Sequence, residues 1–220
     1  MVIDVVSSMP VHPTKKAKVR DITPFSGDVN MIVVHTTNTD ANITAIAKYD
    51  VSPGNHISST GCPTYTYHDT IKENAKIYHC VPYEWETWHA GNFNFRSLAV
   101  ALNFIAEKKV NGSRIDYAPN NEMLKSLYKH LGWLCLNRGI SPKNIWGHRE
   151  LKKTGFFWSK GSKVLRKTCP GMLVDLDLMR LQATKALQLN LKANNLYKDS
   201  RVDGIFGPLT FSALKDYHSH

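Results

Sequence analysis

Residues 31–36 read Met31-Ile32-Val33-Val34-His35-Thr36: four apolar residues, three of them β-branched or nearly filling the same role, then a histidine. A compact apolar run of this kind suits a buried strand. Its surroundings supply partners. Upstream, residues 1–25 read as an irregular arm with a possible short strand. Downstream, Ala41 to Tyr49 has helical spacing, with Asp40 or Asn42 as N-cap. Tyr65 to Ile71 and Lys76 to Val81 flank the polar Glu73-Asn74 step in the pattern of a hairpin. Leu98 to Ile105 is another apolar strand. Pro119 and Asn120 open a helix that gathers Met123, Leu124, Leu127, Tyr128, Leu131, Leu134 and Cys135 on one face, and Arg138-Gly139 stops it. Ile145-Trp146-Gly147 is a short strand leading into His148. Strands and helices mix throughout, so the expected class is α/β, a mixed central β-sheet flanked by helices.

From about Leu178 the texture changes. Leu187, Gln188 and Leu191 sit at helical spacing, Asp203-Gly204 makes a turn, and Gly207-Pro208 starts a new helix carrying Thr210, Ala213, Leu214 and Tyr217. This is a helical unit of about 40 residues, near the lower limit for independent folding. The expected organisation is an arm over 1–25, a larger domain over 26–177 and a small three-helix domain over 178–220.

The chain has 220 residues, 42% hydrophobic and 21% charged, with a formal net charge of +10. Those proportions are globular, and bulk disorder is not expected. The charge favours an anionic partner: nucleic acid, an acidic membrane face or an acidic wall polymer. Nucleic acid is disfavoured, because no recognition helix with clustered Arg and Asn and no aromatic nucleic-acid signature is present. No apolar stretch reaches the length of a membrane span. Residues 1–19 lack a continuous apolar core, with Pro10, Pro13 and Lys15-Lys16 interrupting it, so no signal peptide is expected. Cys62, Cys80, Cys135 and Cys169 are too sparse for a disulfide framework.

Three residues have the chemistry of metal ligands. His35 closes one apolar strand, His148 follows another, and Cys169 lies in Lys167-Thr168-Cys169-Pro170. Strand ends are rigid platforms whose side chains can converge over one sheet edge. Two imidazoles and a thiolate suit Zn²⁺, and three protein ligands leave a fourth position open. A histidine after a strand is, taken alone, more often a hydrogen-bonded structural residue.

The segments Val33-Val34-His35-Thr36, Tyr67-His68, Trp88-His89-Ala90-Gly91-Asn92, Ser97 to Leu102, Gly147-His148-Arg149-Glu150 and Lys167-Thr168-Cys169-Pro170 occur in an order that resembles the amidase-2 and peptidoglycan recognition protein superfamily, especially amidase-type phage endolysins. The resemblance covers roughly residues 28–178. It implies zinc ligation by His35, His148 and Cys169, and catalytic roles for Tyr67 and Lys167. It also implies that His89 lines the cleft without binding the metal, and can join Tyr67 or water as a candidate proton donor to the leaving amine. One branch of the family carries a glutamate acid/base on the strand at 97–102. Ala101 stands at that position here, which favours the tyrosine/lysine branch. The implied reaction is hydrolysis of the amide joining N-acetylmuramic acid to L-alanine in peptidoglycan.

Between His148 and Cys169 lies a basic segment, with Arg149, Lys152, Lys153, Lys160, Lys163, Arg166 and Lys167 against Glu150, and Phe156, Phe157 and Trp158 in its middle. It reads either as a solvated loop pinned by aromatics or as a wall of the substrate cleft. At the C-terminus, the run Asp203-Gly204-Ile205-Phe206-Gly207-Pro208 resembles the three-helix peptidoglycan-binding domain of lytic enzymes, over about 178–218. Together these resemblances imply a phage lysis enzyme held in the host cytoplasm until the membrane opens, and then acting on the wall; a monomer is the default expectation. The competing expectations are a recognition protein that binds peptidoglycan without cutting it, and a zinc peptidase that cuts within the stem peptide.

Overall fold

Residues 2–154, 168–198 and 201–219 are described by a computed structural model of the chain. The apolar run forms strand β2 (Met31–Thr36), buried from Met31 through His35. Numbering strands in chain order, β1 is Val2–Asp4, β3 Asp69–Lys72, β4 Ile77–His79, β5 Ser97–Asn103, β6 Glu107–Val110, β7 Ser113–Asp116 and β8 Ile145–Gly147. Six of them make one sheet in the order β1-β4-β3-β5-β2-β8, while β6 and β7 form a separate antiparallel ribbon. β2 runs parallel to β5 and β8, and β3 runs parallel to β5 but antiparallel to β4, so the sheet is mixed as expected.

Side chains alternate between the two faces of a strand, and this alternation separates core from site. Ile32 and Val34 join Leu98, Val100 and Leu102 in the main core. Met31 and Val33 pack in a different cluster with Ala90 and Leu151, and His35 shares their face. The residues in register with Met31, Val33 and His35 on β5 are Ser97, Ala99 and Ala101. Small side chains there leave room above the sheet. A methyl group therefore neighbours His35 at position 101.

The first helix, α1 (Ile43–Val51), is capped by Asn42, whose side chain accepts from the Thr44 amide. Helix α2 (Asn121–Arg138) begins at Asn120, whose Oδ1 accepts from Met123 N at 2.8 Å, and ends at Gly139 in the left-handed region (φ 62°). Such a cap favours glycine because it has no Cβ to clash. Asp175 caps α3 (Leu176–Ala193), and α4 (Pro208–Tyr217) starts at its proline.

Helix α3 lies tightly on α2: a Cβ added at Gly132 would sit 2.6 Å from Ala186 Cβ. Met179, Ala183, Leu187 and Leu191 of α3, with Tyr197, Ala213 and Leu214 beyond it, belong to the same apolar core as α2 and the sheet. The expected boundary between 177 and 178 thus falls inside α3, and two helices represent the C-terminal unit among the described residues. Gln188, fully buried, donates to Asp203 Oδ1 and accepts from Gly204 N, which holds the Asp203-Gly204 turn.

One expected element is corrected. The strand read from Tyr65 to Ile71 begins only at Asp69. Thr66 donates its amide and its hydroxyl to Asp50 Oδ2, at 3.3 and 2.7 Å, and this long-range anchor bends the chain before the ladder starts. Tyr65 and Tyr67 accordingly do not share a strand face. Tyr65 is fully buried with its hydroxyl 3.0 Å from Thr70 Oγ1, whereas Tyr67 borders the cleft. All four cysteines are free: Cys62, Cys80 and Cys135 are buried, and Cys169 is partly exposed.

Candidate active site

A cleft of about 860 Å³ opens over the site face of the sheet. His35, Tyr67, Trp88, His89, His148 and Cys169 line it, and α1 supplies Ile46, Tyr49 and Asp50 to its far wall. His35 reaches it from the end of β2. His148 follows β8 at the start of a 3-10 turn, His148–Thr154. Cys169 comes from the loop that precedes α3.

The ligand atoms of His35, His148 and Cys169 all lie within 4.8 Å of one another. Cys169 Sγ is 3.5 Å from His35 Nδ1. Zn–N and Zn–S bonds of about 2.0 and 2.3 Å at a tetrahedral angle place N and S about 3.5 Å apart, so this pair has the separation zinc requires. The donor set of two neutral imidazoles and one thiolate is likewise suited to zinc.

The tautomer of His35 follows from its neighbours. Ser97 Oγ donates to Phe93 O at 2.6 Å, because a carbonyl can only accept. That hydroxyl has spent its hydrogen, so the 3.1 Å contact with His89 Nε2 is a donation from the imidazole. His89 Nδ1 is then an acceptor, and at 3.0 Å it receives the Nε2 proton of His35. The lone pair of His35 is thereby left on Nδ1, the atom that faces Cys169. A buried hydrogen-bond partner that fixes tautomer and ring orientation is the usual companion of a metal-binding histidine. Burial, followed by the positive influence of His68, His148 and Arg20, holds His89 well below the ordinary histidine range. It is neutral near pH 7, as an acceptor must be.

The loop carrying Cys169 is braced from below. Arg149 N donates to Cys169 O at 2.8 Å, and the Arg149 guanidinium donates to Gly171 O and to Val174 O. Glu150 accepts from Gly147 N at 2.8 Å and pairs with Arg180 of α3, which also donates to Ile145 O. Gly147 itself is closely covered, since an added Cβ would come within 2.7 Å of Leu176 Cδ1 and force that side chain to shift. The amide of Thr36 points at Cys169 Sγ from 3.3 Å, adding a donor to the sulfur.

Tyr67 places its ring 5.2 Å from that of His35. Burial, then the nearby Cys169 sulfur, pushes its phenol well above the ordinary range, so it stays protonated and can donate. Lys167, the other residue expected to act on the substrate, lies outside the described residues, as does 155–167 of the basic segment with Phe156, Phe157 and Trp158. The supporting residues were not visible as such in the sequence. Ser97, Asn94, Arg149 and Arg180 act through backbone amides, backbone carbonyls and neighbouring side chains, and no spacing marks such partners in advance. His68 is also a support: its Nδ1 accepts from Ala99 N at 2.9 Å, and burial with the adjacent Arg20 pulls it down to about 3.

The profile of the family described as N-acetylmuramoyl-L-alanine amidase (amidase-2) matches residues 25–172. No curated protein sequence matches the chain. Among solved structures, the endolysin amidase LysCS from Clostridium intestinale superposes with a TM-score of 0.55 at 16% identity, covering 82% of this chain and 93% of that one. Drosophila peptidoglycan recognition protein SD gives 0.56 at 17% identity, with coverage of 82% and 93%. A mutant endolysin from Bacillus subtilis gives 0.51 at 17%, with coverage of 83% and 98%. At these identities the likeness is one of fold.

Proposed function

We propose, since this chain belongs to the N-acetylmuramoyl-L-alanine amidase family, that it is a zinc-dependent amidase that cuts peptidoglycan between N-acetylmuramic acid and L-alanine. The observation that carries the reading is the convergence of His35 Nδ1, His148 and Cys169 Sγ at one wall of the cleft. When bound, zinc supplies Lewis acidity, acidifying water and polarising a carbonyl. The chain supplies the rest. His35, His148 and Cys169 hold the ion. Tyr67, protonated and lining the cleft, donates a hydrogen bond to the carbonyl oxygen as negative charge develops on it, and Lys167 adds a cationic donor. Removing one such donor costs about 10²–10³ in rate. With Ala101 beside His35, no carboxylate serves as base at that position, so proton traffic falls to Tyr67, His89 and solvent.

The basic 149–167 segment is assigned to an anionic part of the wall, which makes activity fall with added salt. The C-terminal unit is assigned to wall anchoring. The monomeric enzyme is assigned to phage lysis, reaching the wall from the host cytoplasm once the membrane opens. No helix among the described residues is long and apolar enough to cross a membrane.

A second reading has a specific basis, because a peptidoglycan recognition protein shares the fold: binding without hydrolysis. Cys169 opposes it, since it completes a ligand set that pure binding does not need. Digestion of purified peptidoglycan, with a chelator and with zinc restored, decides between them. Stem peptides beginning at a free L-alanine amine, lost on chelation and regained with zinc, are the expected products. Co-sedimentation with the wall but no cleavage in zinc would establish the binding reading, and cleavage inside the stem would establish a peptidase.

A further inference from the structure

Arg20 belongs to the N-terminal arm, ahead of the residues matched by the family profile, yet it is 4% exposed. Among the described residues it has no carboxylate ion pair. Its guanidinium is spent on carbonyls instead. Nε and Nη2 donate to Tyr83 O at 3.2 and 3.0 Å, and Nη1 reaches Asn94 O at 2.8, Phe95 O at 3.1 and Ser97 O at 2.6 Å. Nη2 also abuts His68 Nε2 at 2.7 Å. The arm is seated beside this point by backbone bonds: Arg20 N donates to Glu84 O and Glu86 N to Lys18 O. Farther back, Lys15 places its ammonium 5.1 Å from the Trp88 ring, on the cleft wall.

Three of the carbonyls gathered by Arg20, those of Asn94, Phe95 and Ser97, belong to the 3-10 turn Gly91–Arg96 and its junction with β5. The same short stretch sets His89. Asn94 Oδ1 accepts from His89 N and Ala90 N at 3.0 and 2.6 Å, and Ser97 Oγ accepts from His89 Nε2. A single planar fork thus fixes both residues that orient the imidazole to which His35 donates. A buried charge satisfied by converging carbonyls is costly unless every bond is made, so the arrangement is held as a unit. Burial pulls the guanidinium down to about 10, which leaves it charged near neutrality.

We infer that Arg20 is a positioning residue for the metal centre: through the carbonyls of Asn94 and Ser97 it holds His89 where it accepts the Nε2 proton of His35, so that Nδ1 is presented to the ion. The inference rests on the zinc reading of the site, but its first test does not need zinc. Long-range ¹H–¹⁵N spectra of the zinc-free full chain report which nitrogen of His35 carries the proton. Wild type should show a single Nε2–H form. Arg20→Lys keeps the charge without the fork, and Arg20→Met keeps the stem without the charge; both should give a mixture of tautomers. Zinc affinity, read by competition with a chromophoric chelator, should fall about 10- to 100-fold, the usual effect of losing a residue that supports a metal ligand. Turnover on peptidoglycan should fall with KM little changed. Gln188→Ala, which loosens the C-terminal turn far from the site, is the control for general destabilisation and should leave the His35 signal intact.

Unchanged tautomer and zinc affinity in a folded Arg20 variant would overturn the inference. If neither variant folds, hydrogen exchange in wild type decides, with the Arg20 Nε and His35 Nε2 protons expected to exchange through one shared opening. Independent, faster release of the His35 proton would overturn it. Failure of wild type to bind zinc would instead defeat the proposed function, leaving the tautomer result to stand or fall by itself.

Discussion

The two sides of the candidate metal centre are built differently. His35 stands on an interior strand, at the head of a hydrogen-bond chain in which it donates to His89, His89 to Ser97 and Ser97 to Phe93 O, within a region fully closed to solvent at Ser97 and nearly so at His89. His148 and Cys169 leave the sheet. They are held by charged side chains, Arg149 on the Gly171 and Val174 carbonyls and Arg180 on Glu150. On one side the chain from His35 to Phe93 runs through neutral groups whose hydrogen bonds have only one possible direction, backed by the single guanidinium of Arg20. The other is specified by ion pairs and guanidinium forks that bridge to α3.

The largest test of this contrast removes a ligand. Cys169→Ser should retain no zinc through dialysis, and peptidoglycan cleavage should drop by more than about 100-fold, beyond the loss from any supporting residue. Metal content and released stem peptides measure both. Equal zinc retention in the variant would remove Cys169 from the ligand set.

Acid should loosen the sheet side first. His68 has a folded pKa of about 3, below its ordinary value. The unfolded chain therefore binds the extra proton first. The stabilisation is complete above about pH 6.5 and is lost as pH falls toward about 3, at up to ~1.4 kcal/mol per pH unit. Asp69 adds to this at lower pH. Burial opposes its ionisation, but His130 and His79 outweigh it and hold it below the carboxylate range. Hydrogen exchange between pH 7 and 4 should show amides 97–99 losing protection ahead of those at 171–174. The reverse order would break the comparison.

Single supports come next. Ser97→Ala leaves the His89 Nε2–H without its acceptor, at a cost of about 1–3 kcal/mol, and zinc affinity should fall about 10-fold or more. Glu150→Ala strands the Gly147 amide and takes one of its partners from Arg180, which keeps Ile145 O and Asp177. Because that site is partly exposed, the expected loss is only about 1 kcal/mol, with a few-fold change in affinity. Thermal melts and chelator competition on the two variants rank the two sides directly.

Local signals made most of this legible. An apolar strand ending in histidine, an Asn120 cap and a Gly139 stop are written within a few residues of where they act, and β2 and α2 follow them. The three candidate ligands were legible through the order of short motifs, which named His35, His148 and Cys169 before they met in space. Elements governed by distant partners were not. The bend at Thr66 depends on Asp50, and the burial of Arg20 depends on carbonyls more than 60 residues away. Nor does the change of texture at Leu178 mark a structural break, because Gly132 lets α3 sit against α2 from its start near Leu176.

The distribution of thiols has a practical consequence. Burial pushes Cys62 up to about 11 and drives Cys80 and Cys135 higher still, so three of the four sulfurs resist alkylation in the native state. The fourth, Cys169, is the partly exposed one, at the proposed ion. A maleimide added to the native protein therefore reads a single position, and its rate of capture is a gauge of occupancy that needs neither substrate nor mutation.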